Sequence, residues 1–303
     1  MTDATDTGPA TRLHVCYTYP VSEYDDAIRL EPAEDPTRRT GNFSADWMIG
    51  NAVNGGFVMA AGLAALGQHL AADPAERTPH PDPVVLSAYF MTASAPGPFT
   101  ATTELMRTGR MLSTGQISLS QPGADGAPVE RMRAIGSFGD LSGVETLSQA
   151  SPPDMPPPER CLSAQQAPPE FLATMHFLDR LDLRIDPATA GWAMGKPSGR
   201  GEIRGWMRMA DAREPDTTLL MMALDALPPV AFDLGILGWT PTLEFTGHIR
   251  RRPESGWLQV ALSSHNVGGG MMEEDATIWD SAGHLVAQSR QLCGVRMANA
   301  TAR

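Results

Sequence analysis

The sequence predicts an α+β protein built from two similar halves, each an antiparallel sheet curled around one helix. Three observations predict it. A proline-rich stretch from Ser151 to Glu170, SPPDMPPPERCLSAQQAPPE, divides the 303 residues into two nearly equal parts. Each part runs in the same order, an apolar helical segment and then strand-like segments separated by glycine turns. Turn residues also recur at a constant spacing. Gly126 and Gly283 stand 157 positions apart, as do Val129 and Val286, and Gly97 and Gly256 lie close to that spacing, which suggests an internal duplication.

In the first half, Asn54-Gly55-Gly56 precedes FVMAAGLAALGQHLAA, a proline-free run of good helix formers that ends before Asp73-Pro74. Strand-like segments follow: VVLSAYFMTA, FTATTELMRTG and MLSTGQISLSQ. The turn Ala124-Asp125-Gly126 then leads into PVERMRAIGSFG. The proline-rich stretch cannot be helix or central strand, because proline fixes φ and removes a donor, so it reads as a stiff connector, with a long active-site loop as the alternative. The boundaries are residues 1–150, 151–170 and 171–303. In the second half, FLDRLDLRI and RGWMRMA read as strands. Pro215-Asp216-Thr217-Thr218 opens a helix through LLMMALDAL, which Pro228-Pro229 ends. The remaining strands are TPTLEFTGHI, WLQVALSSHNV, EEDATIWD and HLVAQSRQLCGVR, with Gly268-Gly269-Gly270 as a hairpin connection.

Composition excludes several classes. Hydrophobic residues make up 42% and charged residues 19%, which is incompatible with a mostly disordered chain. No apolar run approaches the ~18 uninterrupted residues of a membrane span, so none is expected. The opening MTDATDTGPATRLHV lacks a basic region followed by an apolar core, so no signal peptide is expected. A net charge of −12 argues against nucleic acid as partner. Cys16, Cys161 and Cys293 have no metal-like spacing and read as reduced buried thiols of a cytoplasmic protein.

No serine elbow, P-loop, H-E-x-x-H or paired C-x-x-C is present, so neither metal nor cofactor is expected. His248 and His265 fall in strand-like segments and read as ordinary imidazoles. Asp225 stands apart, because it is the only charged side chain in LLMMALDALPPVAF. A carboxylate in apolar surroundings is costly unless donors surround it or it is neutral, and both circumstances suit a general base. A carboxylate capping a nearby loop is the structural alternative.

The chain resembles the acyl-CoA thioesterase II-like enzymes. The likeness rests on the glycine pair opening a helix, SAYFMTA and LMRTGRMLSTGQISLSQ in the first half. In the second half it rests on LDALPPVAF, TLEFTGHIR and WDSAGHLVAQSRQLCGVR. It implies a double hotdog fold, two antiparallel sheets each wrapped on a helix and joined edge to edge, and hydrolysis of an acyl-CoA thioester to free acid and CoA. It further implies a trio of Asp225, Thr242 and Gln291 that holds and polarises a water, Asp225 accepting its proton. Thr240 is a rival to Thr242. The sequence departs from the best-known members in having Asn-Gly-Gly-Phe where they show Gly-Gly-Gln. At the 157-residue offset the counterparts of the trio are Gln68, Val85 and Ala134, so one site per chain is expected.

Free N–H groups at a helix start favour developing negative charge, which makes Gly55 and Gly56 candidate oxyanion donors; close helix packing is the plain alternative. Arg250, Arg251 and Arg252 form the densest basic cluster for CoA phosphates, with Arg107 and Arg110 second. Met59, Met91, Met221 and Met222 are candidates to line an acyl channel. A homo-oligomer is consistent with the likeness, because hotdog sheets often pair. The rival functions are a non-catalytic acyl-CoA-binding or sensing module, and a hotdog hydratase, for which His69 is the sole candidate imidazole.

Overall fold

The computed structural model describes residues 22–73 and 79–295. Cys16, Pro74 and Arg296 lie outside the described residues. The long strands are β1 (Arg38–Phe43), β2 (Asp82–Phe90), β3 (Gly97–Arg107), β4 (Ser113–Pro122) and β5 (Pro128–Gly139) in the first half. The second half supplies β6 (Leu181–Ile185), β7 (Glu202–Met209), β8 (Thr242–Ile249), β9 (Leu258–Ser263), β10 (Met271–Trp279) and β11 (Leu285–Gly294). The two principal helices are α1 (Gly55–Ala72) and α2 (Thr217–Ala223).

All eleven strands belong to one antiparallel sheet of 14 strands, in the order β1-β3-β4-β5-β2-β8-β11-β10-β9-β7-β6. Three two-residue strands complete it: Glu31–Pro32, Leu162–Ser163 and Val267–Gly268. The two sheets expected, one per half and joined edge to edge, thus run together as one continuous hydrogen-bonded sheet. The join is β2 against β8, from Tyr89 opposite Glu244 to Val85 opposite His248. An edge strand carries unpaired N–H and C=O groups, and pairing the two edges satisfies both.

Strand register carries the duplication. Phe245 pairs with Gln291 in the second half as Ala88 pairs with Ala134 in the first, each 157 positions earlier. Glu274 opposite Gln291 likewise matches Ile117 opposite Ala134. Buried and less buried residues alternate along β4 and β10, which is the period of a strand packed on one face.

The Asn54 side chain caps α1 by accepting the Phe57 N–H at 2.8 Å. The helix is apolar almost all round, as a helix enclosed by a sheet must be, and most of its residues are buried. It is also the one described helix long and apolar enough to cross a membrane, but 61% of it is buried inside the protein. The shorter α2 begins where the Asp216 side chain accepts the Leu219 N–H at 2.8 Å. FLDRLDLRI is a strand only from Leu181; His176–Arg180 is a 3₁₀ turn. The Gly269 and Gly270 turn between the Val267–Gly268 strand and β10 has φ of +62° and +76°, which explains its glycines.

The proline-rich connector lies along the second half, where its carbonyls and that of Ala150 just before it accept from side chains. Trp279 Nε1 donates to Ala150 at 2.8 Å, Gln259 Nε2 to Pro153 at 2.7 Å and Trp206 Nε1 to Pro156 at 2.8 Å. It also contributes an edge strand at Leu162–Ser163 and a one-turn helix at Pro169–Leu172, so it is less uniformly extended than its prolines suggest.

Asp82, at the start of β2, ties the halves together. Its buried carboxylate accepts from the Leu141 N–H at 2.9 Å, the Thr217 hydroxyl at 3.1 Å and the Arg252 guanidinium at 2.8 Å. Asp82→Ala leaves the Thr217 hydroxyl and the Leu141 N–H without this acceptor, at about 1–3 kcal/mol for each group left unsatisfied. Arg252 is half exposed, so Arg252→Ala is expected to cost less, under ~1 kcal/mol. Urea denaturation of the two variants reads this difference, and an equal loss would refute it.

Candidate active site

Asp225 follows directly after α2, its N–H bonded to the Met222 carbonyl at 3.0 Å. Its carboxylate faces the start of α1 in the other half. Oδ2 accepts the Gly56 N–H at 2.8 Å and the Asn54 side-chain amide at 3.3 Å, and the same amide donates to the Asp225 carbonyl at 3.0 Å. The orphan donors of a helix start are suited to a carboxylate. Asp225 keeps some exposed surface, but the protein surrounds it closely. Burial pushes its carboxyl up to about 6, against the opposing pull of the Gly56 and Asn54 donors.

Gly56 has a packing reason to be glycine. A Cβ there would lie 2.7 Å from the Met222 carbonyl oxygen and 3.0 Å from the Asp225 Cβ, so α1 and α2 can approach this closely only without it. At Gly55 a Cβ would lie 3.0 Å from Asp225 Oδ2 and 3.3 Å from the Phe90 ring. The expected pair of oxyanion donors is therefore altered: the Gly56 N–H is already given to Asp225, and only Gly55 is left of the pair.

Thr242 is the first residue of β8, just before a bulge at Glu244. Its hydroxyl donates to Gln291 Oε1 at 2.7 Å, so the structure joins these two and leaves Thr240 outside the pair. Gln291 is buried on β11 and donates through Nε2 to Glu274 Oε1 at 2.6 Å. Glu274, buried on β10, accepts the Val230 N–H on its other oxygen at 2.6 Å.

Burial pushes the Glu274 carboxyl up to about 7, and the Asp225 charge adds to the effect. Cys293, opposite Thr242, is also raised, first by burial and then by the charges of Glu274 and Asp225. A buried thiol held protonated is a poor nucleophile.

Glu274 is the residue that the sequence reading missed. The signal was available in the alternation of β10, where Met272, Glu274, Ala276 and Ile278 all point inward. At the corresponding positions of the first half stand Ile117 and Ala134, both buried and apolar, and Gln68 is engaged with Arg39 Nε at 3.1 Å. The polar cluster thus occurs in the second half without a counterpart in the first.

Several other candidates fall elsewhere. Arg252 is committed to Asp82 and Asp140, which weakens it as a phosphate anchor. Arg251 lines a surface cleft with His284 that shares no residue with the Asp225 cluster. Met59, Met221 and Met222 are fully buried core, whereas Met91 is exposed. His69 bonds Thr103 at 2.7 Å near the far end of α1 from Asp225, so it cannot pair with that carboxylate.

An antiparallel sheet packed on an apolar helix, repeated in two halves of matching register, is the architecture of one class, the hotdog-fold proteins. The comparisons agree. Residues 43–139 match the acyl-CoA thioesterase N-terminal domain and residues 158–295 the acyl-CoA thioesterase C-terminal domain. A solved structure from Thermobifida fusca YX, provisionally called a thioesterase II, is similar at a TM-score of 0.79 and 28% identity, covering 92% of this chain and 99% of that one. A hot dog fold protein of Alicyclobacillus acidocaldarius is similar at 0.76 and 20% identity, covering 90% and 98%. The uncharacterized protein Rv0499 of Mycobacterium tuberculosis is 30% identical over 271 residues, 84% of this chain and 90% of that protein. The chain belongs to the acyl-CoA thioesterase family and is a thioester hydrolase.

Proposed function

We propose that the protein hydrolyses an acyl-CoA thioester to free acid and CoA by direct attack of water, with no covalent acyl-enzyme. Asp225 takes the proton of the attacking water, while Thr242 and Gln291 hold that water in place. The Gly55 N–H is the oxyanion donor in this reading, with Gly56 assigned to holding the base. The single observation that carries the reading is the Asp225 carboxylate itself. It sits at the junction of the halves, fixed by two donors from the opposite half, with its basicity raised toward neutral pH by burial. A base of that kind serves well near pH 7, because it is ionised there and still accepts a proton readily.

The pH dependence tests it. Asp225 must be ionised to accept a proton, so kcat/KM is expected to fall by at least tenfold per pH unit below about 6 and to level off only above about 7, where the buried Glu274 is ionised as well. Thiol release from a panel of acyl-CoAs between pH 4.5 and 8.5 measures this. A rate that stays flat through pH 5 would remove Asp225 as the base. The same reading takes the arrangement as a double hotdog divided at residues 151–170, in a cytoplasmic protein whose copies pair through their sheets. The free, buried Cys161 and Cys293 suit a reducing compartment.

A further inference from the structure

We propose that Glu274 is a positioning residue of the hydrolytic site, tying the loop that carries Asp225 to the Gln291–Thr242 pair and fixing which way the Gln291 amide points. The inference rests on the reading of the site given above and adds a fourth side chain to it.

Among the described residues no hydrogen bond joins Asp225 directly to Thr242 or Gln291. Glu274 makes the connection. One of its oxygens accepts the N–H of Val230, which ends the LPPV segment following Asp225, and the other accepts Gln291 Nε2, each at 2.6 Å. With both oxygens acting as acceptors, the amide of Gln291 has one favourable orientation: Nε2 toward Glu274 and Oε1 toward Thr242. The Thr242 hydroxyl proton is then committed to Gln291, so Thr242 offers lone pairs to a water while Gln291 keeps a second N–H to donate. The polarity of both water-holding groups is set by one carboxylate.

The duplicated fold supplies an independent argument. The position of Glu274 in the first half is held by Ile117, fully buried in the matching strand and register. The strand therefore forms with an aliphatic side chain there. A buried carboxyl is costly at such a position unless it is hydrogen-bonded, and its partners are the two elements that carry the trio. The titratable groups that act on it are Asp225 after α2 and the Cys293 thiol on β11, with Asp275 next to it on β10 but on the opposite face, paired with Arg290.

Glu274→Gln keeps the shape but leaves one acceptor for two donors, so either the Val230 N–H goes unpaired or Gln291 turns its amide over. The expected result is a kcat lower by roughly 10–100-fold with KM little changed, the scale seen where an outer partner orients a functional side chain. Because Glu274 sets the orientation of Gln291, the kcat loss in the double variant Glu274→Gln/Gln291→Ala should fall well short of the product of the two single losses. Wild-type kcat in Glu274→Gln, or losses that multiply in the double variant, overturns the proposal. If Asp225→Asn and Gln291→Ala both keep full turnover, the reading of the site falls instead.

Should Glu274→Gln fail to fold, the wild-type protein decides. The Gln291 side-chain amide resonances, identified by their loss in Gln291→Ala, should shift around pH 7 as Glu274 takes up its proton. Resonances that stay fixed through that range overturn the proposal equally.

Discussion

Asp225→Asn is expected to abolish most turnover while leaving the fold intact and, at alkaline pH, more stable. Removing a positioned general base costs about 10²–10⁴-fold in rate. The amide oxygen of the substituted side chain can still accept the Gly56 N–H, so the junction between α1 and α2 survives. Stability moves the other way through linkage. The Asp225 carboxyl titrates at about 6 in the folded chain, above its ordinary 3.8, so between those values the folded form binds more protons than the unfolded one. Its contribution to stability is thus lost as pH rises through that window. A shift of about two pKa units corresponds to roughly 3 kcal/mol at full effect. The melting temperature of the Asp225→Asn variant is expected to exceed that of the wild type at pH 8, and the gap should close by pH 4. Thiol release and thermal melts on the same preparations measure both halves of the claim. Full turnover in the variant would end the assignment of the base, and a lower melting temperature at pH 8 would mean that its charge is better accommodated than burial implies.

The parts legible in the sequence are those that local chemistry determines. Asn54-Gly55-Gly56 and the proline-free run after it define α1 because capping and helix propensity act within a few residues. The 157-residue spacing survives in the strand register because a slip of one residue would turn every core side chain outward. Asp225 is legible because a charge inside an apolar segment needs an explanation. Thr242 and Gln291 could be named only through family likeness, since nothing local brings β8 and β11 together at that register. Glu274 escaped notice because EEDATIWD contains several acids, and only the alternation of the strand tells which one points inward. An edge-to-edge join was expected, but not that β2 and β8 make it, because edge pairing depends on how two complete halves meet. The partner of the Gly56 N–H was not legible for the same reason, since Asp225 reaches it only once α2 is placed against α1.

Gly56→Val is expected to damage fold and activity together. The added Cβ would meet the Met222 carbonyl at 2.7 Å and the Asp225 Cβ at 3.0 Å. Backbone and Cβ atoms cannot rotate aside as the tip of a long side chain can. Valine adds two further methyl groups to the crowding, so α1 must move away from α2 at a cost of about 1–3 kcal/mol or more. That movement carries the Gly56 N–H away from Asp225 Oδ2, and turnover should fall toward the level of Asp225→Asn. Gly55→Ala separates the two effects. Its Cβ would meet Asp225 Oδ2 at 3.0 Å and the Phe90 ring at 3.3 Å, both on side chains that can give. Gly55→Ala is therefore expected to lose activity with a much smaller loss of stability. Urea denaturation and thiol release on both variants distinguish the positions. A Gly56→Val chain as stable and as active as the wild type would mean that the helices can part without disturbing the carboxylate, and the clamp on Asp225 would then be the Asn54 amide alone.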